Sequence, residues 1–374
     1  MTTSQDRKND TPRNTILFVP LQYTANSTDS TSIFIRTLSH RYDLLGLKQA
    51  KWFGTNSNLL RVMRFFAYVF EVWANGLRLR RRVSVFFCVH AWYALAMLPL
   101  ATVLRCPVIW DVHSGRTDYG SASLGVMEKL QRMLESKIGR FFDALLVRSF
   151  EDKTLFVAEG CSPMRITVLL QPADVAFLNL KTQSVLGSSI LDLLGDQTCF
   201  FMGDRSYLPN RQAAFWINSV LAPAVRGAFP HTRFIVASDG PRPSVVSTNV
   251  HFIGHVQDVF ALIEMCNVGV IPIVRGNGTL TKLVDMLALG MSCVVTPFVA
   301  RGVPELVDGS SVMIAHNSEE FISKTLHLLK NPELSERIGT AGRKIIFDKY
   351  DWRVNSQLLF NCVFSVLATN KRPR

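Results

Sequence analysis

Short apolar runs alternate with longer stretches of helical periodicity along most of the chain. ILFVP (Ile16–Pro20), LLGL, SVFFCV, PVIWDV, ALLV and ITVLL follow one another in the first half. FIVASDGP (Phe234–Pro241), VHFIGHVQD (Val250–Asp258), VGVIPIV (Val268–Val274) and CVVTPF (Cys293–Phe298) do so in the second. Runs that are apolar at nearly every position, without a polar alternate face, suit strands buried on both sides. Their alternation with helical segments predicts parallel, doubly wound α/β sheets. Val83–Trp110 raises the question of a membrane span, but Pro99, Arg105 and Pro107 interrupt it. It reads instead as a strand, a helix over Ala91–Leu104 and a second strand.

At 374 residues the chain is long enough for two such domains. The pattern predicts a disordered polar tail over 1–13, an N-terminal domain over 14–180 and a linker from about Phe177 to Gln197. A second domain follows over 198–349. YDW (Tyr350–Trp352) opens a last helix over 350–370 that returns to the first domain. Ligands of such sheets bind beyond the carboxyl ends of the strands. In the first domain this directs attention to the polar loop Gln22–Ser30 and to DVHSG (Asp111–Gly115), which closes a strand and carries His113. A histidine at a strand end is also, in the plainer reading, a capped polar residue.

The strongest local pattern is GNGTLTKLVDMLALG (Gly276–Gly290), a glycine turn between an apolar strand and a helix. Gly276 and Gly278 allow close backbone approach to an anion, and Thr279 is a candidate N-cap. The first amides of the helix and its positive dipole end suit a phosphate. Lys282 lies in the first turn. Asp285, three residues on, shares its face and is placed to accept ribose hydroxyl bonds. The bland alternative is an ordinary crossover with a solvated Lys/Asp pair.

Composition narrows the classes. A hydrophobic share of 48% excludes a largely disordered chain. The seven cysteines are scattered without a CxxC pair, and Cys88, Cys106, Cys199, Cys266 and Cys293 sit in or beside apolar runs. They read as buried thiols in a reducing compartment, with neither a zinc site nor a disulfide framework. Residues 1–13 lack an apolar signal core, so the expected location is cytoplasmic.

The net charge of +12 is concentrated in the first half. No basic motif interleaved with aromatics points to nucleic acid, which leaves an anionic membrane surface. Leu59–Arg82 carries that case. Arg61, Arg64, Glu71, Asn75, Arg78 and Arg82 share a helical stripe, and Phe65, Phe66, Val69, Phe70, Val72 and Trp73 cover the rest. Such a helix can lie in a headgroup layer, with the protein peripheral on the inner membrane face, or pack on the N-terminal sheet.

FMGDRSYLPNR (Phe201–Arg211) adds the pattern G-x-x-x-Y-x-P-N through Gly203, Tyr207, Pro209 and Asn210. Gly278, Thr279, Lys282 and Asp285 match a second pattern, G-T-R-L-K-x-L-E. In this order the segments from about Thr198 to Val366 resemble the nucleotide-binding half of the GT-B glycosyltransferases, in particular the retaining family 4 (group 1) enzymes of polysaccharide biosynthesis. The resemblance implies two Rossmann-like lobes facing a cleft and a hexosyl-type transferase. Its partners would be a nucleotide-sugar donor and a saccharide or lipid-linked acceptor, with no metal or other cofactor. It places His113 and Asn277 at the donor sugar, Lys282 with the Gly278 and Thr279 amides at the leaving diphosphate, Arg205 beside them, and His255–Val256 at the base. The chain departs from the family at Asp285, Leu280 and Asn277, where glutamate, arginine and glutamate are usual. Two other readings stay open: a nucleotide-sugar epimerase on the same fold, and a non-catalytic relative that binds nucleotide sugar or a partner.

Overall fold

The computed structural model describes residues 15–19, 38, 43–46, 58–78, 83–89, 91–112, 137–170, 173, 188–237, 239–256, 258–276 and 281–369. They fall into two compact units, divided between Leu170 and Gln171 and again between Asn355 and Ser356.

The first unit is built on strands β1 (Thr15–Val19), β2 (Asp43–Gly46), β3 (Val83–Cys88), β4 (Val108–Asp111), β5 (Ala144–Val147) and β6 (Ile166–Val168), all parallel, in the order β2-β1-β3-β4-β5-β6. Every residue of β4 and β5 is buried, which is why these strands read as unbroken apolar runs. Two helices precede and follow β3: α1 (Asn58–Arg78) and α2 (Ala91–Leu104). The helix α2 runs through Pro99, so the expected strand–helix–strand unit is present. Among the described residues no helix is long and apolar enough to cross a membrane.

One face of the basic helix packs within the unit and another is exposed. On α1, Val72 is fully buried and the Trp73 indole donates to the Ala96 carbonyl at 3.0 Å, so one face packs on α2. Phe66 and Phe70 are 64% and 74% exposed, and Leu77 and Arg78 also face outward. Arg80, Arg81 and Arg82 lie outside the described residues.

The second unit holds β7 (Thr198–Met202), β8 (Arg233–Ala237), β9 (Val250–Phe252), β10 (Val268–Ile271), β11 (Ser292–Val295) and β12 (Met313–Ile314). These too are all parallel, in the order β12-β11-β10-β7-β8-β9. The chain moves outward from β7 to β9, then returns to the middle and moves outward the other way from β10. The crevice beyond β7 and β10 is therefore the switch point at which ligands of such sheets bind. The helices that matter to it are α3 (Leu208–Trp216) after β7, α4 (Val259–Glu264) before β10 and α5 (Thr281–Ala288) after β10. Beyond β12 come α6 (Ser318–Lys330), α7 (Pro332–Ile345) and α8 (Trp352–Thr369). Tyr350 is fully buried and its hydroxyl donates to Glu305 at 2.6 Å. The Asp351 carboxylate caps the start of α8 by accepting from Arg353 N at 2.9 Å. From Ser356 onward α8 belongs to the first unit, where the Cys362 thiol meets Thr167 of β6.

Candidate functional site

The first strand of the second sheet ends at Met202, and Gly203 turns the chain away with a φ of 151°. Space demands a glycine there as well. A Cβ on Gly203 would stand 2.5 Å from Lys282 Nζ and 2.8 Å from Asn210 Cγ. The chain then makes a tight turn in which Asp204 Oδ1 accepts from Ser206 N at 2.8 Å, and α3 starts at Leu208 with Pro209 in its first turn. Proline costs nothing there because that amide has no partner within the helix.

Asn210 joins the elements. Its Nδ2 donates to the Asp204 carbonyl at 2.9 Å, and its Oδ1 accepts from Lys282 Nζ at 2.6 Å, across 72 positions of sequence. The ammonium also lies 4.8 Å from the centre of the Phe201 ring. Tyr207 faces the other strand end: a Cβ on Gly276 would come 3.1 Å from the Tyr207 hydroxyl. The four positions of the G-x-x-x-Y-x-P-N pattern thus have separate physical tasks: room, contact with the loop after β10, helix start and grip on the lysine.

Lys282 is buried, and among the described residues no carboxylate pairs with it. Burial brings its amine down to about 7 from 10.5. Asp285, one turn deeper on α5, is also buried, and burial pushes its carboxyl up to about 7 from 3.8. These two side chains are not paired with each other. The plain alternative for them, a solvated Lys/Asp pair on an ordinary crossover, is excluded by that burial. What the geometry offers is an ammonium held by a neutral amide and an aromatic face at the switch point, an arrangement whose charge suits an anion.

Arg205 is employed elsewhere than expected. Its side chain is 1% exposed, Nε donates to Pro241 O at 3.0 Å and Nη2 to Gly240 O at 3.2 Å, and the guanidinium lies 5.2 Å from the Phe252 ring centre. It braces the loop after β8 instead of extending the cationic site, because bare carbonyls at that loop outcompete solvent for its planar donors. His255 and Val256 follow β9, with the His255 amide bonded to Asp239 Oδ1 at 3.2 Å and the His255 side chain exposed. Gly276 is the last described residue before the helix turn. His113, Asn277, Gly278 and Thr279 lie outside the described residues. Asn210 and Tyr207 carry motif positions yet are not among the predicted site residues. Asp239 had only its place after a strand to give it away.

Residues 196–331 match the family model for glycosyl transferases group 1. That segment runs from β7 to the end of α6 and includes Gly203, Asn210, Lys282 and Asp285. Both sheets together are those of the GT-B glycosyltransferase fold. Sucrose-phosphate synthase from Thermosynechococcus elongatus superposes with a TM-score of 0.70 at 11% identity, over 96% of this chain and 100% of that one. The Anabaena protein HepE in complex with UDP-glucose gives 0.67 at 13% identity, over 94% and 99%. A putative UDP-N-acetylglucosamine 2-epimerase from Listeria monocytogenes gives 0.62 at 14%, over 97% and 99%. Among curated proteins none matches. At these identities the structural likeness speaks for the fold, and the group 1 match for the nucleotide-side segment.

Proposed function

We propose that the protein transfers a hexosyl group from a nucleotide-sugar donor to an acceptor hydroxyl, with retention, in polysaccharide or glycolipid biosynthesis. The observation that carries this is the convergence of Gly203, Asn210 and Lys282 at the switch point, with an ammonium that lacks an acidic partner among the described residues. A phosphate of the donor supplies the missing charge, and HepE, of the same fold, is described with UDP and with UDP-glucose. In the transfer, the bond from the anomeric carbon to the diphosphate oxygen breaks and a bond from that carbon to the acceptor oxygen forms. The acceptor proton passes to the leaving phosphate, whose growing charge Lys282 stabilises together with the amides of Gly278 and Thr279. Lys282 takes the place of a metal in this scheme, so no metal is required. Asp285 holds the ribose, His255–Val256 border the base, and His113 and Asn277 face the donor sugar.

The epimerase likeness gives a second reading a specific observation, and product analysis separates the two. Purified protein is incubated with labelled UDP- and GDP-sugars, with and without a membrane extract. Label appearing in acceptor material only when extract is present supports transfer. An epimerised nucleotide sugar formed without any acceptor overturns it in favour of the epimerase.

The reading places the reaction at the inner, cytoplasmic face of a membrane. Its support is the outer face of α1, where Phe66, Phe70, Leu77 and Arg78 are exposed while the neighbouring face, with Val72 and Trp73, packs on α2. Sedimentation with anionic vesicles, reversed by salt, is the expected result. Replacing Phe66 and Phe70 by serine abolishes it if this face makes the contact, and unchanged sedimentation of that variant contradicts the assignment.

A further inference from the structure

The second unit contains a cavity of about 780 Å³ that the donor contacts leave unused. It opens beyond the carboxyl ends of β10, β11 and β12, between α3 and the start of α6. Its walls are largely aromatic and proline: Phe215, Trp216, Phe298 and Phe321, with Pro272 and Pro297. Trp216 and Phe321 meet edge to face at 5.3 Å. A volume of this size holds an organic molecule rather than a few waters.

The polar groups in the wall are mostly engaged within the protein. The Thr296 hydroxyl bonds the Ile273 carbonyl and accepts from Val299 N at 3.3 Å. Asn317 Oδ1 caps α6 by accepting from Glu320 N at 2.8 Å, and its Nδ2 donates to Glu320 Oε1 at 3.2 Å. The other Glu320 oxygen accepts from His316 N at 2.9 Å. Gln212 Oε1 accepts from Arg275 Nη2 at 3.0 Å. That inventory disfavours a neutral saccharide, which needs several uncommitted donors and acceptors to replace its own water.

Two cations remain. Arg211 and Arg275 line the cavity, no carboxylate is among its lining residues, and neither arginine pairs with an acid among the described residues. An apolar chamber rimmed by two guanidinium groups complements a molecule with a hydrocarbon body and an anionic head. Its position says what that molecule does. The loop from Pro272 to Arg275 lines the cavity, and the next residue, Gly276, approaches Tyr207 of the donor side. Pro209 lines the cavity while its neighbour Asn210 holds Lys282. The cavity and the anion receptor therefore flank the first turn of α3.

We propose that this cavity is an acceptor subsite that takes the hydrocarbon-tailed phosphate end of the acceptor. The chain lies against Trp216, Phe298 and the prolines, and the phosphate lies at Arg211 and Arg275. The word acceptor rests on the glycosyltransfer reading above, whereas the ligand chemistry rests on the cavity alone.

Calorimetry with geranyl phosphate as the probe tests it, with geraniol, inorganic phosphate and a neutral maltooligosaccharide in parallel and UDP and GDP titrated into the same protein. Geranyl phosphate is expected to saturate a single site and to bind roughly tenfold or more tighter than geraniol or phosphate, because each supplies only half of the contact. Val274 is 71% exposed on the cavity lip. Val274→Asp, which adds a negative charge there, and Arg275→Gln should each weaken the probe by roughly tenfold while leaving nucleotide affinity unchanged. Retained nucleotide binding shows that the variants are folded. The proposal is overturned if geraniol binds as tightly as its phosphate, if the oligosaccharide binds and geranyl phosphate does not, or if both variants bind the probe like the wild type. Geranyl phosphate binding without nucleotide binding would instead sink the donor reading and leave the cavity's ligand class standing.

Discussion

Both sheets bury a positive side chain at the carboxyl ends of their strands, and they neutralise it in opposite ways. In the first unit Asp111 ends β4 and Arg148 follows β5; the two meet at 2.5 Å with 0% and 4% of their side chains exposed. In the second unit Lys282 meets an amide oxygen at 2.6 Å and an aromatic ring. A buried charge answered by a charge belongs to the architecture, since removing either partner strands the other. A buried ammonium answered only by neutral groups stays costly until a ligand brings the anion. The contrast separates a structural cation from a receptive one inside the same type of fold.

The largest effect is expected where the pair is broken. Arg148→Met leaves Asp111 buried without its guanidinium and should cost about 3–5 kcal/mol of stability, read as a lower midpoint in urea. Next in size is Lys282→Met. Loss of one hydrogen bond to a charged phosphate costs about 1.5–3 kcal/mol, so nucleoside diphosphate affinity should drop about 10- to 150-fold by calorimetry. Stability without ligand should not fall, because the methionine removes an ammonium whose burial, among the described residues, only the Asn210 amide and the Phe201 ring offset. If both substitutions destabilise equally and nucleotide affinity is unmoved, the distinction between the two cations is wrong. Asn210→Asp should convert the receptive cation into a structural one. We expect a nucleotide affinity lower by roughly tenfold together with equal or higher stability without ligand.

A pH signature in the free protein sharpens the same comparison. The depressed Lys282 amine means that the unfolded chain holds this proton more tightly, so stability rises with pH between about 7 and 10.5. The raised Asp285 carboxyl means that the folded chain holds its proton more tightly, so stability falls with pH between 3.8 and about 7. The two together should leave a minimum near pH 7. The Lys282→Met substitution should remove the alkaline limb alone.

Much of this was legible before any coordinates. Strands such as β4 and β11 are buried on both faces, and a run like VIWD or SCVV has no other way to satisfy itself in a folded chain. The start of α5 and the place of Lys282 in its first turn were legible because glycine, a helix start and a cation are all local signals. The grip of Asn210 on Lys282 was not, since it joins the first turns of two helices 72 positions apart and depends on the return of the chain to β10 beside β7. Arg205 misled for the same reason. Its position after β7 is local, whereas the Gly240 and Pro241 carbonyls that bind it belong to the loop after β8. On α1 the pattern showed two faces without saying which one α2 would cover, and the answer, that Phe66 and Phe70 stay outside, depends on Trp73 reaching Ala96.

The central claim is that Lys282 waits for the phosphate of a nucleotide. Titration of UDP or GDP at pH 8, in two buffers of different ionisation enthalpy, tests it directly. With an amine near 7 in the free protein, Lys282 is mostly neutral at that pH and must take up a proton when the anion arrives. The wild type should take up close to one proton per nucleotide bound and lose affinity as the pH is raised above 7, and Lys282→Met should show no such uptake. Tight nucleotide binding with the same proton balance in both proteins would contradict it.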